Sequence, residues 1–298
     1  MDASEAGAKD DKKASKFEAF QKKYQTGDLG EGMSADLNYT LKRLVRGLTS
    51  DNHGVKRGFF LATVSVIRSF KAQIDITKLI KLIKDETKTS KIMKNPEINA
   101  LALGQLMCLS SLIESEAYQT GNLVNSDILA SLTSSLIYLY QTYDFLRESI
   151  QAALQKLIQK LPVETHGAKV LEKIVSELLV QASEGGKVKD YALQHSDNLS
   201  LYLVLKHLYQ GSKLREQSPK LAKVLGHDVI ADENDLHRLR AIAGRSVYIY
   251  PRLHTSLPLL INELYQRPQA SSTKLRLQEI RRVCKALLED HFFDEQVY

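Results

Sequence analysis

The chain has 298 residues, of which 43% are hydrophobic and 26% are charged, proportions close to globular averages that exclude wholesale disorder. Its 15 glycines and 6 prolines are too few for the many turns of an all-β chain. With 41 basic and 35 acidic residues, the net charge of +6 is compatible with nucleic acid or with acidic protein partners and selects neither.

Residues 1–33 are predicted to be a flexible N-terminal tail and linker. Residues 1–15 are small or charged and have no hydrophobic periodicity, which is typical of disorder. Three glycines within Gly27–Met33 indicate a linker. The start has no hydrophobic core of a secretory signal, and no apolar run reaches the ~18 residues of a membrane span. We therefore expect a helical domain over residues 34–298.

Hydrophobic residues recur at helical spacing from Ser34 onward. The first stripe, with Ser34 as N-cap, ends at the polar turn Ser50–Gly54 and consists of Leu37, Leu41, Leu44, Val45 and Leu48. The second is centred on Phe59, Ala62, Val66 and Phe70, with Phe60, Thr63 and Ile67 beside it. Further stripes predict helices over residues 76–83, 98–113, 127–143, 145–161, 168–183, 199–209, 219–225, 232–244, 253–265 and 274–290. Only Val247–Tyr250 favours a strand, and one short run does not make a sheet.

This pattern predicts an all-α fold. Roughly twelve helices over residues 34–298 give one helix pair per ~44 residues, within the range of roughly 40–47 residues of HEAT and armadillo repeats. A HEAT/armadillo-like α-solenoid of about six helix pairs is therefore favoured, and a non-repeating helical bundle is the alternative.

The segment Tyr39–Phe60, YTLKRLVRGLTSDNHGVKRGFF, resembles the N-terminal signature of the DNA polymerase phi / Myb-binding protein family of nucleolar HEAT-repeat proteins. In that family an LKRLxRGL helix leads through a polar turn to a basic residue, a glycine and an aromatic or apolar helix. The matching residues are Leu41, Lys42, Arg43, Leu44, Arg46, Gly47, Leu48, Arg57, Gly58 and Phe59. Tyr250–Leu264 resembles a second family segment, a Pro-Arg-apolar-His motif before a helix. Family members are longer, so the resemblance implies the N-terminal part of a longer array.

The resemblance also implies a function. It implies a scaffold in the nucleus and nucleolus that acts in ribosomal RNA transcription, ribosome biogenesis and transcription regulation. The implied partners are ribosomal DNA or RNA, ribonucleoprotein, and transcription or ribosome-assembly proteins, without membrane association. The alternative is a general helical-repeat adaptor for proteins that does not bind nucleic acid.

No sequence pattern predicts catalysis. Phosphate-binding loops and the GxSxG and HExxH motifs are absent from the sequence, and a polymerase needs carboxylates ~4 Å apart around two metals. The densest acidic group, Asp232, Glu233 and Asp235, is predicted to cap a helix and to fill its first turn. Cys108 falls in an apolar stripe and is predicted to be a core residue. We therefore expect no enzyme activity, metal site or cofactor.

Two groups of basic residues are candidate partner-binding sites. Lys78, Lys81 and Lys84, here called the lysine ridge, would continue to Lys88 and Lys91 if one helix ran through; the alternative is a solvated helix face. The arginine segment, residues 238–252, contains Arg238, Arg240, Arg245 and Arg252 with Tyr248 and Tyr250. Because the planar arginine fork recognises phosphate and stacks on aromatic rings, we expect the arginine segment to contribute more to binding than the lysine ridge.

The signature contains further basic residues and two glycines. Arg43, Arg46 and Arg57 are interpreted either as ion-pairing residues between neighbouring repeats or as binding residues, and the sequence does not decide between these. Glycine inside a helix costs ~1 kcal/mol relative to alanine. Gly47 and Gly58 are therefore predicted to lie where helices cross closely.

Overall fold

The computed structural model describes residues 29–50, 52–90, 92–120, 123–161, 166–194, 196–210 and 218–226, together with the single positions 234, 235, 238, 259, 260, 262 and 281. Over these residues the chain is mostly helical, which confirms the all-α class. The helices predicted at 232–244, 253–265 and 274–290 lie, apart from those single positions, outside the described residues, as does the strand-like run Val247–Tyr250.

The elements within the described ranges follow in chain order. The helices are α1 (Ala35–Leu48), α2 (His53–Phe70), α3 (Ile76–Glu86), α4 (Asn95–Glu114), α5 (Ser126–Thr142), α6 (Arg147–Lys160), α7 (Ala168–Val175), α8 (Val188–Ala192), α9 (Ser196–Gln210) and α10 (Pro219–Leu225). The 3₁₀ segments Lys71–Gln73 and Asp144–Leu146 precede α3 and α6, and the π-helical segment Ser176–Val180 continues α7.

A small antiparallel hairpin and the short helix α8 were not predicted from the sequence. Strand β1 (Gln119–Thr120) pairs with β2 (Leu123–Val124), and Gln119 lies opposite Val124. Both elements are too short to produce a recognisable hydrophobic period. The chain divides within α5 into two compact units, Met1–Leu132 and Thr133–Tyr298.

Helix α1 is the centre of the first unit. It contacts α2, α3 and α4, and all five residues of its predicted apolar stripe are buried. The Ser34 hydroxyl accepts a hydrogen bond from the amide of Leu37 at 3.2 Å, which confirms the predicted N-cap. Asp36 lies in the first turn, where the helix dipole favours a carboxylate.

Helix α2 begins ahead of its predicted stripe and buries most deeply the residues predicted to flank the centre of that stripe. The side chain of Asn52 accepts hydrogen bonds from Gly54 N and Val55 N, so α2 starts inside the predicted turn Ser50–Gly54. The buried line of α2 includes Thr63 and Ile67, whereas Phe70 of the predicted central stripe is 42% exposed. Thr63 is accommodated in this line because its hydroxyl donates to the carbonyl of Phe59 at 2.7 Å.

The two signature glycines have opposite environments. A Cβ on Gly47 would overlap the ring of Phe59, so the predicted close crossing of α1 and α2 is confirmed there. Gly58 is exposed and has no neighbouring atom within 4 Å of such a Cβ, so the predicted close packing of Gly58 is wrong. Gly104, for which the sequence predicted no role, lets α4 approach α1, since its Cβ would lie 2.9 Å from the carbonyl oxygen of Leu48.

Helices α1 and α3 lie side by side and run in the same direction. Ahead of both helices, the amide of Asp75 donates to the carbonyl of Leu29 at 2.6 Å, and near their C-terminal ends Arg46 pairs with Glu86. Leu29 is buried, and a Cβ on Gly30 would overlap the carbonyl oxygen of Gln73. The end of the Gly27–Met33 segment therefore packs against the 3₁₀ turn before α3.

The C-terminal end of α4 is held by two cationic side chains. Arg68 donates to the carbonyl of Glu114 at 2.9 Å, and Lys71 donates to the carbonyl of Glu116. Cations are favoured at a helix C-terminus, where carbonyls lack intrahelical partners. Helix α4 is the one described helix that is long and apolar enough to cross a membrane by length and composition, and its Leu106, Leu109 and Leu112 are buried inside the first unit.

Helix α9 is the centre of the second unit. It contacts α6, α8 and α10, and the run Leu201–Lys206 is buried all around the helix. The predicted helix of residues 168–183 is α7 with its π-helical continuation, and it is followed by Glu184 at φ 50° and Gly185 at φ 81°. Left-handed residues stop a helix, so the chain turns at Glu184 and Gly185.

We expect Gly47→Ala to lower the free energy of unfolding by about 1–2 kcal/mol, because the added Cβ must displace the Phe59 ring. Gly58→Ala is the matched control in the neighbouring helix. Its open surroundings and the better helix propensity of alanine predict a gain of about 0.5–1 kcal/mol. Urea denaturation followed by circular dichroism measures both changes, and a more stable Gly47→Ala variant would contradict the close packing of α1 on α2.

Candidate functional site

The lysine ridge is exposed but shorter than predicted. Lys78, Lys81 and Lys84 lie on the solvent side of α3, opposite its buried residues. The helix ends at Glu86, where Thr87 caps it through a bond from its amide to the carbonyl of Ile83, so Lys88 does not continue the ridge along α3. Lys91 lies outside the described residues.

Acidic residues accompany the lysine ridge. Asp75 accepts a hydrogen bond from the amide of Lys78 at 3.1 Å as the N-cap of α3, and its carboxylate lies 4.0 Å from the Lys78 ammonium. Asp85 is exposed on the same helix, and 100° per residue places it between Lys78 and Lys81 around the axis. The exposed face of α3 therefore has charges of both signs, and Lys84 lies toward its edge.

Only one residue of the arginine segment is described. Arg238 forms an ion pair with Asp190 of α8, and nearby Asp235 pairs with Lys189, the residue before Asp190. Asp235 is 3% exposed. The remaining candidates, Arg240, Arg245, Arg252, Tyr248 and Tyr250, lie outside the described residues, as do Asp232 and Glu233. These two ion pairs join α8 to the side chains of Asp235 and Arg238, so Arg238 has a structural role.

The signature divides into buried and exposed residues. Leu41, Leu44 and Leu48 form the core side of α1. Lys42 is only 2% exposed, so a nucleic acid or protein that binds from outside cannot contact it. Arg43 and Arg57 are exposed on α1 and α2. Neither forms an ion pair with another described residue. The signature arginines therefore do not share one role: Arg43 and Arg57 are exposed, whereas Arg46 forms an ion pair with Glu86.

Arg46 is the signature arginine that holds two helices together. Its Nε and Nη2 donate to the two carboxylate oxygens of Glu86 at 2.8 and 2.6 Å, a bidentate pair between α1 and α3. The side chains of Arg46 and Glu86 are 33% and 23% exposed. Glu86 was not identified from the sequence, because a lone glutamate at the end of a lysine-rich helix gives no sign of its distant partner.

An aromatic residue lies one helical turn from Arg43. Tyr39 is 45% exposed and, four residues before Arg43, lies on the same face of α1. Arginine beside an exposed aromatic ring is a favourable combination for stacking with nucleic-acid bases. Tyr39 was not among the binding residues predicted from the sequence, although its i, i+4 spacing from Arg43 is visible there.

The described part of the chain has neither a metal-binding cluster nor an accessible cysteine thiol. It contains no cluster of three or more His, Cys, Asp or Glu that is placed to hold a metal ion. Cys108 is fully buried, as predicted, and this burial raises the pKa of its thiol to about 12, which keeps it protonated.

Residues 39–297 match the family model for DNA polymerase phi. The chain belongs to the DNA polymerase phi family. This match confirms the resemblance inferred from the signature and includes both the lysine ridge and the arginine segment. Comparison with curated proteins and with solved structures gives no match.

A network of buried polar side chains lies in the second unit of this family member. The Gln151 side-chain amide donates to Tyr140 Oη at 3.3 Å and to the carbonyl of Asp197 at 3.2 Å, and it accepts from the hydroxyl of Ser200 at 2.9 Å. Arg147 pairs with Asp197 and lies 5.5 Å from the centre of the Tyr140 ring. Burial is the main cause that raises the pKa of Tyr140. Because its polar groups hydrogen-bond one another, this network fixes α6 against α9 and needs no ligand.

We expect the Arg46–Glu86 pair to contribute about 1 kcal/mol of coupling energy in a double-mutant cycle with Arg46→Ala and Glu86→Ala. Because the pair is bidentate and partly buried, we expect its coupling energy at the upper end of the range for surface ion pairs. Arg46→Lys is expected to lose most of this coupling, since an ammonium cannot make the fork contact. Chemical denaturation measures the cycle, and additive single effects would show that the pair is energetically silent.

Proposed function

We propose that this member of the DNA polymerase phi family is a non-catalytic scaffold in the nucleus and nucleolus. It acts in ribosomal RNA transcription, ribosome biogenesis and transcription regulation by binding ribosomal DNA or RNA, ribonucleoprotein and protein partners. It uses no cofactor. Family membership over residues 39–297 supports the cellular role.

The observation that supports nucleic-acid binding is a set of exposed cations in the first unit. Arg43 on α1, Arg57 on α2, and Lys81 and Lys84 on α3 are exposed. They have no ion-pair partner among the described residues. Free cations can replace the counterions of a phosphate backbone, and Tyr39 beside Arg43 adds an aromatic surface.

A HEAT/armadillo-like solenoid is the architecture that we propose for the full helical region. Consecutive helices α1 and α2 form an antiparallel pair joined by a short turn, and α3 lies beside α1 in the same direction, as equivalent helices do in stacked repeats. Small-angle X-ray scattering of the chain tests this proposal. An elongated particle is expected, and the compact profile of a single bundle would contradict it.

A protein adaptor that does not bind nucleic acid is the second candidate. Arg238, a predicted binding residue, is paired with Asp190, and Arg46, for which the sequence left ion pairing and binding open, is paired with Glu86. Paired arginines contribute less to phosphate binding, because a phosphate must first displace the carboxylate. This observation favours the adaptor to the extent that binding depends on those two residues.

Fluorescence anisotropy with structured ribosomal RNA and ribosomal DNA fragments at two salt concentrations separates the candidates. We expect the combined Arg43→Ala and Arg57→Ala variant to weaken binding and to reduce the slope of log affinity against log salt by about 2, because each arginine neutralises one phosphate. Lys169→Ala with Lys220→Ala, two exposed lysines of the second unit, is the charge-matched control.

The variants also test the predicted order of the two basic groups. Arg240→Ala with Arg245→Ala is expected to weaken binding more than Lys81→Ala with Lys84→Ala. The absence of wild-type binding at ~50 mM salt would contradict the nucleic-acid role and favour the adaptor.

A further inference from the structure

An open groove in the second unit combines an apolar wall with a basic rim. Its volume is about 820 Å³, and it lies where the turn after the π-helical segment, the start of α8 and the end of α10 meet. Val180, Val188 and Val224 provide apolar surface, and Lys187 and Lys223 stand at its edge. A recess of this size accommodates several side chains of a partner.

The two rim lysines are available to an anionic partner. Lys187 and Lys223 are exposed and come from different elements, the turn before α8 and helix α10. Neither forms an ion pair with a described residue. Lys189, which also lines the groove, is neutralised by Asp235. The groove therefore presents two uncompensated positive charges beside apolar surface.

The walls of the groove favour a peptide over a nucleic acid. Val180 is 41% exposed, and the Tyr202 side chain is buried with its hydroxyl donating to the carbonyl of Val224 at 3.2 Å, so its ring is not a free stacking platform. Among the described residues that line the groove, none is an arginine. Single-stranded nucleic acid is recognised by exposed aromatics and arginine, whereas aliphatic walls gain free energy by burying apolar side chains of a partner.

The groove is preformed by local hydrogen bonds. The amide of Gly186 donates to the carbonyl of Ser183 at 2.8 Å, and the hydroxyl of Ser183 donates to the carbonyl of Val180 at 2.8 Å. The ion pairs of Lys189 with Asp235 and of Asp190 with Arg238 hold α8 in place. A site that is ordered before binding loses less entropy when the partner arrives.

We propose that this lysine-rimmed groove binds an acidic segment of a protein partner in which Asp or Glu residues alternate with aliphatic ones. The carboxylates pair with Lys187 and Lys223, and the aliphatic side chains cover Val180, Val188 and Val224. The site lies in the second unit and does not depend on the exposed cations of the first unit that support nucleic-acid binding.

The test uses the full chain and a short labelled peptide of alternating Glu and Leu, titrated by fluorescence anisotropy. Lys187→Glu with Lys223→Glu is expected to weaken binding by at least about tenfold. The charge-matched control, Lys169→Glu with Lys220→Glu, changes two exposed lysines that do not line the groove and is expected to change binding by less than about twofold. Val180→Ser is expected to weaken binding about fivefold.

Two further probes assign the ligand class. A peptide with Ser in place of Leu keeps the charge and is expected to bind about tenfold more weakly than the Glu-Leu peptide. Equal binding of both peptides, equal losses in groove and control variants, or no saturable binding would overturn the proposal. A single-stranded thymidine oligonucleotide that binds more tightly than the peptide, and loses binding when Lys187 and Lys223 are reversed, would assign the groove to nucleic acid instead. Thermal melting of each variant by circular dichroism verifies that it is folded.

Discussion

The close approach of α1 to its neighbours is the constraint on which the first unit depends. A helix that contacts three others needs small residues wherever a backbone comes near, and Gly47 and Gly104 provide that space at the C-terminal end of α1. The same end contains Arg46, whose bidentate pair with Glu86 sets the position of α3. The C-terminal half of α1 is thus constrained by Gly47, by Gly104 of α4 and by the Arg46–Glu86 pair. The N-terminal half of α1 is held by the Ser34 cap and by buried leucines.

The second unit is organised around α9 by a different kind of interaction. Because α9 is buried on all sides, it exposes little surface that could bind a partner, and its contacts with α6 depend on the Gln151 network rather than on apolar surface alone. Buried networks of this kind are favourable only when their members are paired. The second unit therefore presents its binding chemistry at the periphery, where α8, α10 and the turn at Gly185–Gly186 leave the lysine-rimmed groove open.

The sequence predicts the helices well because apolar residues at helical spacing indicate the buried face of each helix. All five residues of the α1 stripe are buried, the helices predicted over residues 76–83 and 98–113 lie within α3 and α4, and the Ser34 cap followed from a local rule. The glycines were less predictable, because glycine destabilises a helix equally at Gly47 and at Gly58. Only Gly47 lies against a neighbouring helix that requires a residue without a side chain, and the sequence does not show that difference. The centre of the buried face of α2 lies at Thr63 rather than at Ala62, because the Thr63 hydroxyl donates to a backbone carbonyl and the residue can therefore lie in the core.

Binding residues were harder to predict than helices because a basic residue that forms an internal ion pair and one that binds a partner look the same in the sequence. Arg46 and Arg43 are three residues apart in the same motif, yet Arg46 faces a carboxylate and Arg43 faces solvent. Arg238 and Lys189 meet acidic partners whose distance along the chain is 48 and 46 residues, and no sequence spacing reveals such pairs. The remaining exposed cations of the first unit, Arg43, Arg57, Lys81 and Lys84, come from the three helices α1, α2 and α3. A contact between one exposed cation and a phosphate is individually weak, so the nucleic-acid affinity that we propose depends on several such contacts being made together.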